Sequence, residues 1–545
     1  MRRPPGDRPP RGAPRPRGSP PPPPLPRRLR RRFGGHRPRR GVRLRPLDRA
    51  HGGTVRISHL SAECVPYAKT GGLGDVAGAL PKALAERGHD VDVWIPFHLE
   101  AARWFRRRFE WPAQALDPFD VSVLGTTYRV GILTHTLPGS SVPVYFVAHD
   151  PLFHRPAIYS PNDWGADDGL WRFSLFVRAA VEALKRMGRK PQVLHAHDWH
   201  PALAPMLGAW MNWRDRWFDD VASVLTIHNA RYQGLYDPAL FPALGLPPEV
   251  FSLVELGGAV NLLKGAIEAA DVITAVSPRY AWEITTPEGG ASLDAVLRGR
   301  SDRLTGILNG VDLSAWDPEH DPHLRARYSA RDLRGKAECR QDLCLLSGFE
   351  PADPALIVGA VSRLTDQKGI DLLFEAAPEL IRRGVRIAML GSGDAALEGS
   401  MRVLEAHAPG RFKAFVGYDE ALSHRVIAGA DAFVMPSRFE PCGLTQMYAL
   451  AYGTPPIVRR TGGLADSVVA YDGHNLETAT GFAFDAATSH ELAAETLRAM
   501  HVFFHKDDWR RIVRNGMLVD NSWDHAAGLY EEAYKRARTL RGLGW

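Results

Sequence analysis

Apolar runs that stop abruptly at polar or glycine residues, each followed by a helical pattern, recur along this chain, and no other feature limits its fold as much. "TVRISHLSAE", from Thr54, runs into a glycine loop. "DVAGALPKALAERGHDVDVWIP" then reads as an amphipathic helix, a Gly-His turn and a second apolar strand. "QVLHAHD", "SVLTIHN" and "DVITAVS" repeat the pattern. Such an order predicts a parallel sheet with crossover helices. After an irregular stretch containing "LNGVDLSAWDPEHDP", the rhythm restarts with "ALIVGAVSRL", "RIAMLGSGD", "FKAFVGY", "DAFVMPS" and "TPPIVRR". A chain of 545 residues is too long for one ordinary core. Two doubly wound α/β domains are therefore expected, residues 54–308 and 309–522, binding beyond the carboxyl ends of their strands with the main cleft between them. Residues 523–545 read as a closing helix, whose place the pattern leaves open.

Charge sets residues 1–53 apart from this body. They hold 17 arginines and 2 aspartates; taking that +15 from the whole chain's +7 leaves −8 on residues 54–545. The body is acidic, so the basic balance gives no reason to expect a nucleic-acid partner. The extension, with "SPPPPPLPRRLRRRF", has no apolar periodicity and is expected to be disordered. It reads as a solvated segment, with a transit peptide or an anion-binding arm as alternatives; its prolines break the amphipathic helix that transit peptides form. No apolar stretch suits a secretory signal or a membrane span. Four scattered cysteines without metal-ligand spacing suit a reducing compartment, and a cytoplasmic location is expected, or a plastid if the extension is a transit peptide.

Several strand-end motifs carry chemistry. In "AKTGGLGDV", Gly71, Gly72 and Gly74 allow backbone approach, and a helix starts near Asp75. Loop amides with a helix N-terminus make an anion site; the plain alternative is a tight strand–helix turn. Lys69 is either a solvated lysine or a charge for a diphosphate or sugar oxygen. "GSGDAA" at 391–396 matches a dinucleotide pattern but lacks the later acidic residue, which leaves an oxidoreductase a weak alternative. "VSRLTDQKGID" sets Arg363 and Lys368 at a strand end, as a diphosphate leaving group needs. "SRFEPCGLTQMYAL" puts Glu440 in a turn before a helix, as a ligand for sugar hydroxyls or a helix-capping acid. "RRTGGLADSV" adds a second Thr-Gly-Gly-Leu, hinting at one phosphate loop per domain. In "HAHDWH", strand alternation puts His195 and His197 on one face, with only a superficial metal spacing; His197 is expected to face the cleft.

Taken together and in order, "KTGGLGDV", "HAHDWH", "TIHNARYQG", "LNGVD", "VSRLTDQKGID", "SRFEPCGLTQMYAL" and "RRTGGLADSV" resemble the bacterial glycogen synthase and plant starch synthase family, from about Val55 to Tyr534. The resemblance implies a GT-B glycosyltransferase fold: two Rossmann-like domains across a deep cleft, with the last helix crossing back to the first domain. It implies retaining transfer of glucose from ADP-glucose to the non-reducing 4-hydroxyl of an α-1,4-glucan, releasing ADP, without a catalytic metal or cofactor. By position, Lys69, Gly71 and Gly72 match the donor-phosphate loop, and Arg363 with Lys368 the diphosphate pair. Glu440 matches the glucose-holding carboxylate, with Cys442, Gly443, Leu444 and Thr445 beside it, and Thr461, Gly462 and Gly463 join the donor site. His197 matches a strand-end histidine near the anomeric carbon, Asp168 a cleft aspartate, Asn309 a hinge residue near the donor, and Tyr418 a base-side contact. Many GT-B relatives hold the ribose with a second glutamate eight residues after the first. Here that position is Tyr448, as in glycogen and starch synthases, so the ribose contact must come from elsewhere.

The expected partners are ADP-glucose and a glycogen or maltooligosaccharide primer, with no nucleic acid or membrane. The favoured mechanism is a front-face displacement in which the leaving phosphate takes the acceptor proton, with Asp168 as the one candidate base or charge stabiliser. Alternatives are a UDP- or other NDP-glucose-dependent α-glucosyltransferase and a catalytically silent glucan-binding protein.

Overall fold

Nine strands form the first sheet: β1 (Arg56–Leu60), β2 (Asp90–Pro96), β3 (Ala113–Val123), β4 (Thr126–Thr136), β5 (Pro143–Ala148), β6 (Val193–His197), β7 (Ala222–Ile227), and, after a small three-stranded sheet β8–β10 (Leu235–Tyr236, Glu255–Leu256, Ala259–Asn261), β11 (Val272–Ala275) and β12 (Leu304–Gly306). Their order is β12-β11-β7-β6-β1-β2-β5-β4-β3. The strands from β12 to β5 run parallel, and β6, β7 and β11 are buried along their whole length. Helices on both faces of a parallel sheet leave no wet side, so these strands read as continuous apolar runs. The hairpin β3–β4, joined antiparallel to β5, extends the edge in a way the repeating pattern did not signal.

The second sheet holds β13 (Ile357–Leu364), β14 (Arg386–Gly393), β15 (Phe412–Val416), β16 (Ala432–Met435), β17 (Pro456–Arg459) and β18 (Phe482–Phe484), all parallel, in the order β15-β14-β13-β16-β17-β18. Each domain has one switch point. From β1 the chain winds out through β2 and returns to β6; from β13 it winds out through β14 and β15 and returns to β16. Loops leaving neighbouring strands diverge there and open a crevice. The loops after β1 and β6, and after β13 and β16, carry "AKTGGLGDV", "HAHDWH", "VSRLTDQKGID" and "SRFEPCGLTQ".

The computed structural model describes residues 53–159, 167–211, 214–312 and 315–545, and Gly53–Trp545 form one unit; of the extension expected to be disordered, residues 1–52 lie outside the described residues. The chain crosses between domains twice, side by side: the Val311 amide donates to Asn521 O at 2.7 Å. A Cβ on Gly310 would lie 2.6 Å from Trp523 Cα, so only glycine lets the two crossings touch. The closing helix, Trp523–Leu540, returns to the first domain and buries Trp523, Tyr530 and Tyr534 among Ile57, Val76, Val193 and Val224. Arg87 grips Glu531 with two nitrogens (2.7 and 2.9 Å), and Arg541 pairs with Asp271 at 2.8 Å. Among the described residues no helix is long and apolar enough to cross a membrane.

Candidate active site

Beyond β1 the glycine loop already holds an anion: the chain's own Glu63. Its buried carboxylate accepts from the Thr70 amide (2.7 Å), the Gly71 amide (3.1 Å), the Thr70 hydroxyl (2.5 Å) and the Tyr159 hydroxyl (2.7 Å). Thr70 and Gly71 are thus committed within the protein, while Gly72, the first residue of the helix Gly72–Glu86, is exposed. Lys69 is also exposed, with its ammonium 2.7 Å from Asp75. Both lie within electrostatic reach of the exposed Tyr418 of the second domain.

His197 does not face the cleft. It is fully buried, with both ring nitrogens engaged: His59 Nδ1 lies 3.0 Å from its Nε2, and His228 Nε2 lies 3.1 Å from its Nδ1. His195 stacks on His197 at 4.1 Å, as strand alternation requires, and spends its nitrogens on Thr226 (2.6 Å) and Tyr534 (2.9 Å). Burial holds all four rings far below the ordinary histidine range, His59 and His228 at about 3. Ring nitrogens of His59, His195 and His197 gather within 4.8 Å; His59, His197 and His228 form a hydrogen-bonded chain, His195 bonds to Thr226 and Tyr534, and His59 Nε2 is buried without a partner among the described residues. The partly exposed member is His228, at the end of β7. Beside it Asp198, in a left-handed conformation (φ 62°), accepts from the His228 amide at 2.6 Å. Burial pushes its carboxyl up to about 7, against the pull of the His228 and Asn229 amides. Asp168, expected in the cleft as a base or charge stabiliser, is paired with Arg155 at the start of the helix Asp167–Arg186.

In the second domain the structure joins two predicted residues directly. Lys368, after β13, meets Glu440, after β16, with Nζ and Oε2 2.5 Å apart. The carboxylate is 6% exposed and also accepts from Ser437 Oγ at 3.1 Å. Arg363 is exposed at the end of β13 and makes no ion pair among the described residues. Asn309 is 5% exposed with its Oδ1 unpartnered, and its amide donates to the Cys442 sulfur, whose thiol burial pushes up to about 12. Gly443, Leu444 and Thr445 lead into the helix Thr445–Ala451 and are partly exposed.

The second Thr-Gly-Gly-Leu is not a second phosphate loop. Thr461, Gly462 and Gly463 are buried beneath the turn that carries Glu440. A Cβ on Gly462 would sit 1.9 Å from Glu440 O, and one on Gly463 2.0 Å from Cys442 O. The Gly463 amide donates to Glu440 O and Pro441 O. These glycines exist so that one backbone can press against another.

Comparison with known proteins decides the family. Residues 56–299 match the model for the starch synthase catalytic domain, and residues 355–501 that for glycosyl transferases group 1. Glycogen synthase of Anaeromyxobacter dehalogenans strain 2CP-1 is 44% identical over 484 residues, 88% of this chain and 99% of that protein. Glycogen synthase 1 of Geobacter metallireducens is 43% identical over 490 residues, 89% and 97% of the two chains. The chain belongs to the glycogen and starch synthase family.

Its fold is GT-B. The catalytic domain of starch synthase IV from Arabidopsis thaliana, bound to ADP and acarbose, superposes with a TM-score of 0.79 at 35% identity, covering 89% of this chain and 100% of that one. Sucrose-phosphate synthase from Thermosynechococcus elongatus shares the fold, with a TM-score of 0.54 at 18% identity over 88% and 98% of the two chains. In this family member Tyr448 lies flat on Trp316 (4.0 Å, 2°), which lies flat on His424 (3.7 Å, 10°). The stack holds Tyr448 in place, with Asp75 of the first domain among the charges that reach it. Glu63, Asp198 and His228 went unread in the sequence as site residues. A signal existed, since each follows a predicted strand of the first sheet, but the partners of Asp198 and His228 lie 30 and 31 residues away.

Proposed function

We propose that this glycosyltransferase moves a glucosyl unit from ADP-glucose to the non-reducing 4-hydroxyl of an α-1,4-glucan, with retention at the anomeric carbon. The observation that carries the proposal is the buried Lys368–Glu440 contact at the second domain's switch point, with Lys69 and Asp75 of the first domain within electrostatic reach of the second domain's Tyr418. A sugar diphosphate needs both halves of that contact. Lys368 and Arg363 stabilise the departing diphosphate, whose charge grows as the bond breaks, and Glu440 accepts from glucose hydroxyls. On the first-domain side, the amides of Gly72 and Leu73 in the helix's first turn meet the phosphates, because Glu63 occupies those of Thr70 and Gly71. With Tyr448 locked in its stack, Asp75 is the carboxylate left for the ribose hydroxyls, and Tyr418 lies against the base.

The cations supply the charge that a metal supplies elsewhere, so the reaction is proposed to run without one. Domain closure excludes water and aligns the acceptor hydroxyl with the anomeric carbon. The leaving phosphate takes the acceptor proton. His228, the partly exposed ring beside Asp198, is the first-domain group offered to that centre in place of the buried His197. Initial rates with ADP-, UDP- and GDP-glucose on glycogen primer test the proposal: ADP-glucose is expected to dominate, and equal or faster turnover of UDP-glucose would overturn the donor assignment.

A further inference from the structure

The turn that carries Glu440 belongs to the second domain, yet much of its support comes from the first. The helix Pro278–Glu283 of the first domain packs against the helix Gly462–Ser467, which lies under that turn. Ser277, at the start of the former helix, donates its buried hydroxyl to Pro441 O at 2.7 Å. The Arg279 amide donates to Asp466 Oδ2 at 2.6 Å. Glu283, at the other end, accepts from the Gly462 amide at 3.0 Å and from the Thr461 hydroxyl at 3.3 and 3.4 Å. Above, the Arg231 guanidinium lies 3.7 Å from the centre of the Phe439 ring. The shaft between Glu283 and Glu440 is rigid: the Gly462–Gly463 backbone touches Glu440 O and Cys442 O so closely that no Cβ fits.

We propose that Glu283 and Ser277 are positioning residues for Glu440, acting from the opposite domain through Gly462–Gly463 and Pro441. This rests on the reading of Glu440 as the carboxylate that holds the glucosyl hydroxyls. Glu283 presses the glycine pair upward, Ser277 fixes the carbonyl that follows Glu440, and the carboxylate is aimed between Lys368 and Ser437. The glucose subsite is therefore complete only while the first-domain helix is docked, which ties transfer to the closed arrangement of the domains.

The effect falls on the donor's sugar, not its nucleotide. In Glu283→Ala, kcat/KM for ADP-glucose is expected to fall about tenfold or more, the loss expected for one charge-assisted hydrogen bond. The primer KM and the Kd of ADP measured by calorimetry should stay within about threefold, the ADP titration also showing that the variant is folded. Glu283→Gln, which keeps an acceptor for the Gly462 amide, should recover most of the loss, and Ser277→Ala should repeat it in weaker form. Parental kcat/KM in Glu283→Ala, with Glu440→Gln inactive, would overturn the positioning role. So would a uniform loss of ADP affinity, primer KM and thermal stability without rescue by glutamine. Full activity in Glu440→Gln would remove the reading of Glu440 itself, and the positioning role with it.

Discussion

Replacing Lys368 by methionine separates its two tasks. The ammonium lies 2.5 Å from Glu440 Oε2, with the side chains 17% and 6% exposed, so water screens the pair poorly. Methionine fills much of the same volume but leaves Glu440 with the Ser437 hydroxyl alone. Breaking a buried pair from one side strands a charge, at a cost of about 3 kcal/mol, whereas replacing both partners by neutral groups is often close to neutral. Lys368→Met should therefore lower the unfolding free energy of the second domain by about 3 kcal/mol, and Lys368→Met with Glu440→Gln should regain most of it. Turnover behaves differently. Loss of the cation removes leaving-group stabilisation worth about a hundredfold or more in kcat, and the double variant cannot regain it. Urea unfolding by fluorescence, run beside initial rates of ADP release, measures both. A single variant as stable as the parent would show that the contact is not a buried pair, and one turning over within about tenfold of it that Lys368 does not stabilise the diphosphate.

Other expectations follow from the same geometry. His59, His195 and His197 are fully buried and neutral, with pKa values well below the ordinary 6.5. The unfolded chain therefore binds more protons between about pH 3 and 6.5, and stability should fall with falling pH through that window. At pH 5.5 each ring costs about 1.4 kcal/mol relative to neutral pH, or about 4 kcal/mol together; a melting temperature that does not drop between pH 7.5 and 5.5 would refute this. His197→Leu leaves His59 Nδ1 and His228 Nε2 unpaired and should cost about 3 kcal/mol of stability, whereas His228→Ala should cost turnover first, as paired melts and rates will show. Gly463→Ala forces a methyl to 2.0 Å from Cys442 O; about 3 kcal/mol of destabilisation and a raised donor KM are expected, and a silent substitution would mean the helix can retreat from the turn. Lys69→Gln should raise the KM for ADP-glucose and leave the primer KM unchanged.

Much of the architecture was legible along the chain. The apolar runs that end in polar residues are the parallel strands, and the irregular stretch near Asn309 is the crossing between domains. The β3–β4 hairpin was missed because its alternating, half-exposed residues carry no crossover signal. Lys368 and Glu440, 72 residues apart, stand out separately in the sequence because each follows a strand at a switch point, and only the fold shows that they pair. The expectation that His197 faces the cleft fails for a physical reason. A polar residue at a strand or helix end looks the same whether it meets a ligand or a partner inside the protein.

The amino-acid sequence by itself determined two wound domains, the order of their strand-end loops and the residue types that a sugar diphosphate needs, because periodicity and glycine placement are local properties of the chain. Tertiary structure alone decided which of those groups are free. Glu63 takes the first two amides of the first Thr-Gly-Gly-Leu, Glu283 and the Glu440 turn take those of Gly462 and Gly463 in the second, and His59 and His228 take both nitrogens of His197. Each partner but Glu63 lies about 20 residues or more away, Glu283 179 residues from Gly462. A glycine that admits a phosphate and a glycine that admits another backbone are the same residue until the fold brings up the neighbour.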